Sequence, residues 1–447
     1  MSSNRKALLV IIDAARRDDA YAAFAQSGLP ALAGAATTDL IAPSCWTLPT
    51  IASTLTGLYP AEHDMTWQNA GGRCHAPTIA DMLAEAGRSF RLLSGNHIYA
   101  PPTMRLPRTP AHASRWQRCR PAAFLGRMLG LMDYGGRGMV REVRRMTEGD
   151  ELPDLLMLHL QEPHHPYLAP PRGLDPRGRL RYGLGHLAYY LTRSSQAWEF
   201  AAEADDRAWA AQRARYRECL AWAVGAVEDV LRAYERAGAL DDALVIVTAD
   251  HGEHFGEHGL AGHQASLHDE LVHCPCAIMA PGMEPGRAIP GQFQHTDLLV
   301  TICNFLSVAC AHYEPRSEPL DLLGSPGGRE QAFTQWTAWR PEDLAKLQRR
   351  NPGYDFTPLN RDLSAIRTDR WKYIAASDGL ETLYDLRADH DEVRNRVNDR
   401  PQVAAAMRSA LAGWLDTMGA DHTAPQRELH ETTSRIRERR LRDLGYI

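Results

Sequence analysis

At 447 residues the chain is longer than one ordinary domain, and its apolar content of 44% with 23% charged residues is that of a globular protein. A net charge of −5 gives no global basis for nucleic-acid binding. The one apolar run near the N-terminus ends at Asp13, too short for a secretory core or a membrane span, and no later stretch is long enough. The eight cysteines (Cys45, Cys74, Cys119, Cys219, Cys274, Cys276, Cys303 and Cys310) are scattered without framework spacing, so a reducing cytoplasm is the expected compartment.

In chain order, Ala7 to Ile12 reads as a central strand ending at Asp13. Ser44 to Gly57 reads as a loop entering a helix, with Thr47 at the N-cap, Pro49 in the first turn and Gly57 as the stop. A helix over Pro77 to Gly87 and a strand over Phe90 to Leu93 follow. Ten arginines between Arg105 and Arg145 mark residues 101–146 as an insertion over the sheet edge. It offers either a solvated or subunit-contacting surface or an anion-binding one. Leu155 to Leu160 is a strand that runs into His164. Asp206 to Gly238 is a long helix with a core-facing apolar stripe, and the strand from Ala243 delivers Asp250 and His251 at its end. A strand over Ala277 to Met279 and a helix over Asp297 to Leu306 close this part.

Beyond residue 307 a Pro/Gly-rich linker leads to short strands near 332–335, 365–367, 372–374 and 382–385 and to a helix over Gln402 to Thr417. The expected fold class is therefore α/β: a large, mostly parallel sheet flanked by helices over 1–310, with a smaller C-terminal α+β subdomain with an antiparallel sheet over 311–425. A charged helical tail, 426–447, follows. The arginine-rich insertion and this tail are the candidate surfaces for a homo-oligomer.

Asp13, His164 and Asp250–His251 fall at the carboxyl ends of strands, where ligands bind in open α/β sheets. Asp13, Asp250 and His251 supply ligands for one divalent cation; Mn²⁺ or Zn²⁺ suits them best, and Ca²⁺ or Mg²⁺ is admissible. The Thr47 hydroxyl sits at a helix N-terminus, where amides stabilise negative charge, and contact with the metal would make it a nucleophile. The alternative for Thr47 is an ordinary N-cap. For the run VIVTADHGEHFGEHGLAGH the alternative is a polar, histidine-rich loop.

The segments LLVIIDAARRD, TLPTIASTLTGLYPAEHD, LHLQEPHHPY, VTADHGEHFGEHG, HTDLL and RTDRWKYI with LYDL resemble, in order, the sulfatase-like branch of the alkaline phosphatase superfamily. The resemblance implies that Asp13, Thr47, Asp250 and His251 hold the metal. It implies that His164 and His263 bind the transferred group or protonate the leaving oxygen, and that Asn69 touches a non-bridging oxygen. In many relatives a lysine stands where His263 falls. His258 and His295 are open between site and structural roles, and His254 reads as a loop residue.

Two departures redirect this expectation. Sulfatases carry a cysteine or serine in a C/S-x-P-x-R signature, oxidised to formylglycine; here Thr47 holds that position, Ile51 stands where the arginine would be, and Cys45 lies two residues early. No formylglycine is expected. Ala14 stands where sulfatases usually have a second aspartate. Both features resemble phosphodiesterases and phosphonate monoester hydrolases. The expected activity is thus metal-dependent hydrolysis of a small anionic phosphate or phosphonate ester through a phospho-threonine, with no nucleic-acid or membrane partner. A sulfuric ester hydrolase, a phosphotransferase to an alcohol and a non-catalytic anion-binding scaffold are the alternatives.

Overall fold

The computed structural model describes residues 5–69, 72–96, 133–167, 204–310 and 313–419 except 314 and 326, together with 177, 178, 181 and 184. The arginine-rich stretch 101–132, most of the segment between Tyr167 and Ala204, and the charged tail 426–447 lie outside the described residues.

Strand β1 (Lys6–Ile12) is followed by helices α1 (Arg17–Ala25) and α2 (Pro30–Ala33), then β2 (Ala36–Ile41). Next come α3 (Thr47–Thr56), α4 (Pro60–His63), α5 (Ile79–Glu85) and β3 (Phe90–Ser94). Helix α6 (Gly136–Glu148), β4 (Leu155–Leu160), α7 (Asp206–Arg236) and β5 (Ala243–Thr248) continue the alternation. A two-stranded hairpin, β6 (His254–Phe255) with β7 (Ala261–Gly262), leads to α8 (Asp269–Val272) and the short strand β8 (His273–Cys274). Strands β9 (Cys276–Met279) and β10 (Ala288–Gln294) and helix α9 (His295–Leu306) complete the first part.

The main sheet has eight strands in the order β10-β2-β9-β5-β1-β4-β3, with β8 paired to β2. Strands β5, β1, β4 and β3 are mutually parallel, whereas β9 runs antiparallel between β5 and β2. The residues of β4 and β5 are buried throughout, as are those of β1 after Lys6, which fits apolar runs covered on both faces. Parallel register brings the carboxyl ends of β1, β4 and β5 to one edge, with Ile12 beside Leu160 and Ile11 beside Thr248.

A second sheet, β11 (Ala332–Trp336), β12 (Leu363–Arg367), β13 (Trp371–Ala376) and β14 (Glu381–Asp385), is antiparallel, with α10 (Pro341–Arg350) and α11 (Pro401–Thr417) around it. It backs directly onto the segment before α3. Gln335 N donates to Pro43 O at 2.9 Å, Ser44 Oγ to Gln335 O at 2.8 Å and Thr334 Oγ1 to Ala42 O at 2.9 Å. Trp46 packs on Trp67 with ring centroids 4.8 Å apart, and Trp67 packs on Trp336 at 6.0 Å. The second sheet therefore braces the loop that carries Thr47.

The fold agrees with the expected class and differs in detail. The end of the arginine-rich insertion is α6, which buries Met139, Val140, Val143 and Met146 and packs against α7. Its arginines occupy the outer face of an amphipathic helix. Strands β2 and β10 carry Thr, Asp, Pro and Gly and lack the apolar run that marks the central strands. Among the described residues no helix is long and apolar enough to cross a membrane.

Candidate functional site

Asp13 continues the β1–β4 ladder by one rung, its N–H donating to Leu160 O at 2.8 Å. The chain then turns through Ala14 at φ 57°, a left-handed conformation in which a small side chain is tolerated best. That turn aims the Ala14 N–H at Asp250 Oδ1, 3.1 Å away, and the His251 N–H reaches the same oxygen at 3.0 Å. Two amides thus fix one oxygen of Asp250 and orient the other.

His251 is fixed in the same way. Its Nδ1 lies 2.8 Å from Gly252 O. A carbonyl only accepts, so Nδ1 carries the hydrogen and Nε2 has the lone pair. Nε2 faces Asp13 Oδ1 at 3.6 Å, Asp250 Oδ2 at 3.5 Å and Thr47 Oγ1 at 3.2 Å. Gly252 is required here: a Cβ would stand 1.9 Å from Glu270 O.

Thr47 is the first residue of α3, and Trp46 occupies the N-cap position without a side-chain cap bond. This corrects the expected N-cap role: the hydroxyl reaches His251 across the sheet edge. All ten residues of α3 are buried, and its other hydroxyls are taken elsewhere: Thr54 on Thr50 O and Thr56 on Ala52 O within the helix, Thr50 on Ser44 O and Ser53 on His63 Nε2 outside it. Pro49 has no N–H, so Thr47, Leu48 and Thr50 supply the first-turn amides that a bound anion would meet.

Asp13, Asp250 and His251 each offer a ligand atom, all within 4.8 Å of one another and all buried. Asp13 Oδ1 and Asp250 Oδ2 are buried without a hydrogen-bond donor among the described residues. Leaving such oxygens unsatisfied is costly. With metal–ligand distances of about 2.0–2.2 Å, tetrahedral ligand atoms stand roughly 3.3–3.6 Å apart. The 3.5 and 3.6 Å separations from His251 Nε2 match that edge. These residues fit a divalent cation.

The electrostatics agree. Burial, reinforced by Asp250, pushes the Asp13 carboxyl well above its usual range. Burial acts upward on Asp250 too, but His251 and His159 outweigh it and hold that carboxyl low. Two facing carboxylates in a dry site behave in this way until a cation neutralises them. Burial pushes His251 down to about 4, which keeps it neutral, the form that ligates metals.

His164 and His263 flank this cluster. The His263 ring stacks on His251 with centroids 4.3 Å apart and meets the His164 ring edge at 5.0 Å. His164 Nδ1 bonds His165 O at 2.7 Å, and His263 Nδ1 bonds Glu253 Oε1 at 2.9 Å. The Asn69 amide donates to Asp64 Oδ2 at 3.0 Å in a solvent-facing pair. His295 Nε2 donates to Ala249 O at 2.7 Å and buttresses the end of β5. His254 and His258 join a separate cluster in which His258 stacks on His268 at 3.7 Å and His254 Nε2 bonds Ser266 Oγ at 3.1 Å. Cys45 is buried, and its thiol is pushed up to about 12, so it stays protonated.

Three further residues touch the site. Asn96, just past β3, donates to Asp13 Oδ2 at 3.2 Å. His159, inside β4, places Nε2 3.5 Å from Asp13 Oδ2 and 3.7 Å from Asp250 Oδ2. Glu253 holds His263. A histidine within the apolar run LLMLHL and a polar residue just after a strand were the available sequence signals for the first two.

A mostly parallel sheet flanked by helices and backed by a small antiparallel sheet is the fold of solved sulfatases and phosphonate monoester hydrolases. Residues 137–308 match the Sulfatase family model. Mouse (Mus musculus) arylsulfatase K is 28% identical over 188 residues, and the match spans 41% of this chain but only 32% of that protein. Among solved structures, the phosphonate monoester hydrolase of Agrobacterium radiobacter superposes with a TM-score of 0.67 at 20% identity, covering 93% of this chain and 96% of that one. A 2-O GAG sulfatase, BT1596, gives 0.67 at 15% identity, covering 94% and 93%.

Proposed function

We propose that this protein is a metal-dependent hydrolase of phosphate or phosphonate esters that works through a covalent phospho-threonine at Thr47. The observation that carries this reading is the Thr47 hydroxyl at the start of a buried helix, 3.2 Å from the His251 nitrogen that also faces Asp13 and Asp250. Asp13, Asp250 and His251 would hold the cation, with Mn²⁺ or Zn²⁺ the best match to two carboxylates and an imidazole. When bound, such a cation lowers the pKa of the adjacent hydroxyl and polarises the ester.

The chain's own groups divide the remaining work. Thr47 Oγ1 attacks phosphorus in line with the leaving oxygen, and the amides of the first turn of α3 receive the equatorial oxygens. His164 and His263 attend the leaving oxygen. Water then attacks the phospho-threonine and regenerates Thr47. The threonine side chain favours phosphorus: oxidising its secondary alcohol gives a ketone, never the formyl group on which sulfatases depend.

A sulfuric ester hydrolase is the second reading, supported by the match of residues 137–308 to the Sulfatase family model and by likeness to arylsulfatase K. One preparation loaded with Mn²⁺ or Zn²⁺ is assayed against aryl phosphate, bis-aryl phosphate, aryl phosphonate and aryl sulfate. The leading reading expects turnover of a phosphorus ester and its loss in Thr47→Ala. Faster sulfate turnover would select the second reading, and full activity in Thr47→Ala would overturn the threonine mechanism.

A further inference from the structure

We propose that Tyr216 is the positioning residue of the metal-ligand cluster: its hydroxyl clamps the turn after Asp13, and that turn sets which oxygen Asp250 offers. This role rests on the metal site of the hydrolase reading above. By sequence Tyr216 is one more member of the apolar stripe of α7, and in the fold its side chain is fully buried. Its hydroxyl nevertheless has two partners on the segment that follows β1. It donates to Ala14 O at 3.0 Å and accepts from the Arg16 N–H at 2.6 Å. The hydroxyl's hydrogen and a lone pair are both used.

The turn needs holding. Ala14 sits at φ 57°, a conformation that a residue with a Cβ adopts only at a cost. The segment's own bond across it, Ala15 N–H to Ile12 O, is long at 3.3 Å. Tyr216 bridges the Ala14 carbonyl and the Arg16 amide and so fixes the chain as it leaves the strand. In that conformation the Ala14 N–H reaches Asp250 Oδ1 at 3.1 Å, and the His251 N–H shares the same oxygen at 3.0 Å. Asp250 Oδ2 is then the oxygen that faces His251 Nε2, at 3.5 Å. Without the clamp Ala14 relaxes towards ordinary backbone angles, its N–H swings off Oδ1, and Asp250 keeps one amide in place of two.

The ring of Tyr216 serves the other two strand ends. It meets Tyr167, three residues past His164, at 5.9 Å and 82°, and Phe255, four residues past His251, at 4.9 Å and 54°. Arg16, held by Tyr216 through its N–H, sends Nη1 to Glu253 O at 3.1 Å. One side chain of α7 thus touches each of the three loops that deliver Asp13, His164 and Asp250–His251. Tyr234, fully buried on the same helix, gives the contrast: its hydroxyl has no hydrogen-bond partner among the described residues. Tyr216 differs from it by what the hydroxyl holds.

The test measures Zn²⁺ affinity by competition calorimetry in the wild type, Tyr216→Phe and Tyr234→Phe, each shown to be folded by near-ultraviolet circular dichroism. Phenylalanine keeps the ring contacts and removes only the hydroxyl. Losing an outer support of a metal ligand costs about 10–100-fold in affinity. Tyr216→Phe is expected to weaken Zn²⁺ binding by about that factor, and Tyr234→Phe to leave it at the wild-type value. A hydroxyl that only stabilised the fold would move the urea midpoint and not the affinity of the folded protein. Wild-type affinity in Tyr216→Phe, or an equal loss in both variants, would therefore overturn the proposal. If the wild type binds neither Zn²⁺ nor Mn²⁺, the metal reading fails, and amide hydrogen exchange of the metal-free protein still decides the clamp. Faster exchange at Ala14 as well as Arg16 in Tyr216→Phe supports it, and faster exchange at Arg16 alone refutes it.

Discussion

Asn96 donates its side-chain amide to Asp13 Oδ2 at 3.2 Å, which satisfies one oxygen of that carboxylate and leaves Oδ1 facing His251. Asn96 is held in turn by Ser94, whose Oγ donates to Asn96 O at 2.7 Å and accepts from Asn96 N at 2.9 Å. This chain of bonds, from the end of β3 to the end of β1, fixes which oxygen is offered to a cation.

Removing such an outer support costs 10–100-fold in metal affinity in comparable sites. Asn96→Ala should therefore weaken Zn²⁺ or Mn²⁺ binding by about that factor, read by competition with a chromophoric chelator. Unaltered affinity would mean that Asp13 is oriented by the backbone alone.

Gly252 offers a second handle on the same geometry. A methyl group there would stand 1.9 Å from the Glu270 carbonyl oxygen, and backbone cannot step aside as a side-chain tip can. The Gly252 N–H also donates to Leu271 O at 2.8 Å. Forcing a methyl group into a packed site costs about 1–3 kcal/mol. Gly252→Ala should lower the urea midpoint accordingly and loosen metal binding as well, because His251 and Glu253 flank the displaced residue. Wild-type stability together with wild-type metal affinity would contradict the close approach.

What could be read from the sequence follows from how local each signal is. The β1 strand and Asp13 announce themselves, because a β-branched apolar run that stops at a carboxylate means a buried strand with a polar end. Asp250 and His251 follow by the same rule. Asn96, His159 and Glu253 were hidden because each owes its role to a neighbour brought close by the sheet or the hairpin. β3 lies beside β4, β4 beside β1, and residue 253 meets 263 through one β-rung. Thr47 shows the same limit in reverse. Its chemistry fits an N-cap, but in the fold Trp46 holds the cap position, packed on Trp67, and the Thr47 hydroxyl faces His251. Asn69 bonds Asp64, five residues away, a local contact that no motif announces.

The two sheets are fastened by a buried charge cluster. Lys372, on β13 and 1% exposed, pairs with Asp269 Oδ1 at 2.7 Å and Glu392 Oε1 at 3.0 Å, while Arg367 reaches Asp269 Oδ2 at 3.1 Å. Deleting one partner of a buried ion pair leaves an uncompensated charge and costs about 3–5 kcal/mol. Lys372→Met should destabilise the protein by that amount in urea titrations. The double change Lys372→Met with Glu392→Gln should recover much of the loss, since Arg367 still neutralises Asp269 and an amide oxygen can still accept from the Asp269 N–H. If the double variant is no more stable than the single one, the loss comes from packing and not from charge.

His63 makes a prediction about pH. Its Nδ1 accepts from the Met65 N–H at 3.0 Å, so the hydrogen resides on Nε2, which donates to Ser53 Oγ at 3.0 Å. A second proton would have to enter at Nδ1, against the Met65 N–H and with no solvent to receive the charge, and burial pushes this imidazole down to about 3. In the unfolded chain a histidine titrates near 6.5. The unfolded state therefore binds more protons between pH 6.5 and 3, so stability falls as pH drops through that window and the contribution is complete above it. One such proton contributes a slope of up to about 1.4 kcal/mol per pH unit. His165, also pushed down to about 3 by burial, adds to the decline with the same sign, so the effect of His63 must be read by difference. His63→Asn keeps a carbonyl that can accept from Met65 and cannot titrate. Urea midpoints at pH 8, 6.5, 5 and 4, about the span of the expected window, should show the wild type more stable at high pH and the gap closing as pH falls. A gap of constant size would show that His63 titrates in the fold as it does in the unfolded chain, so that packing and not its proton sets the difference.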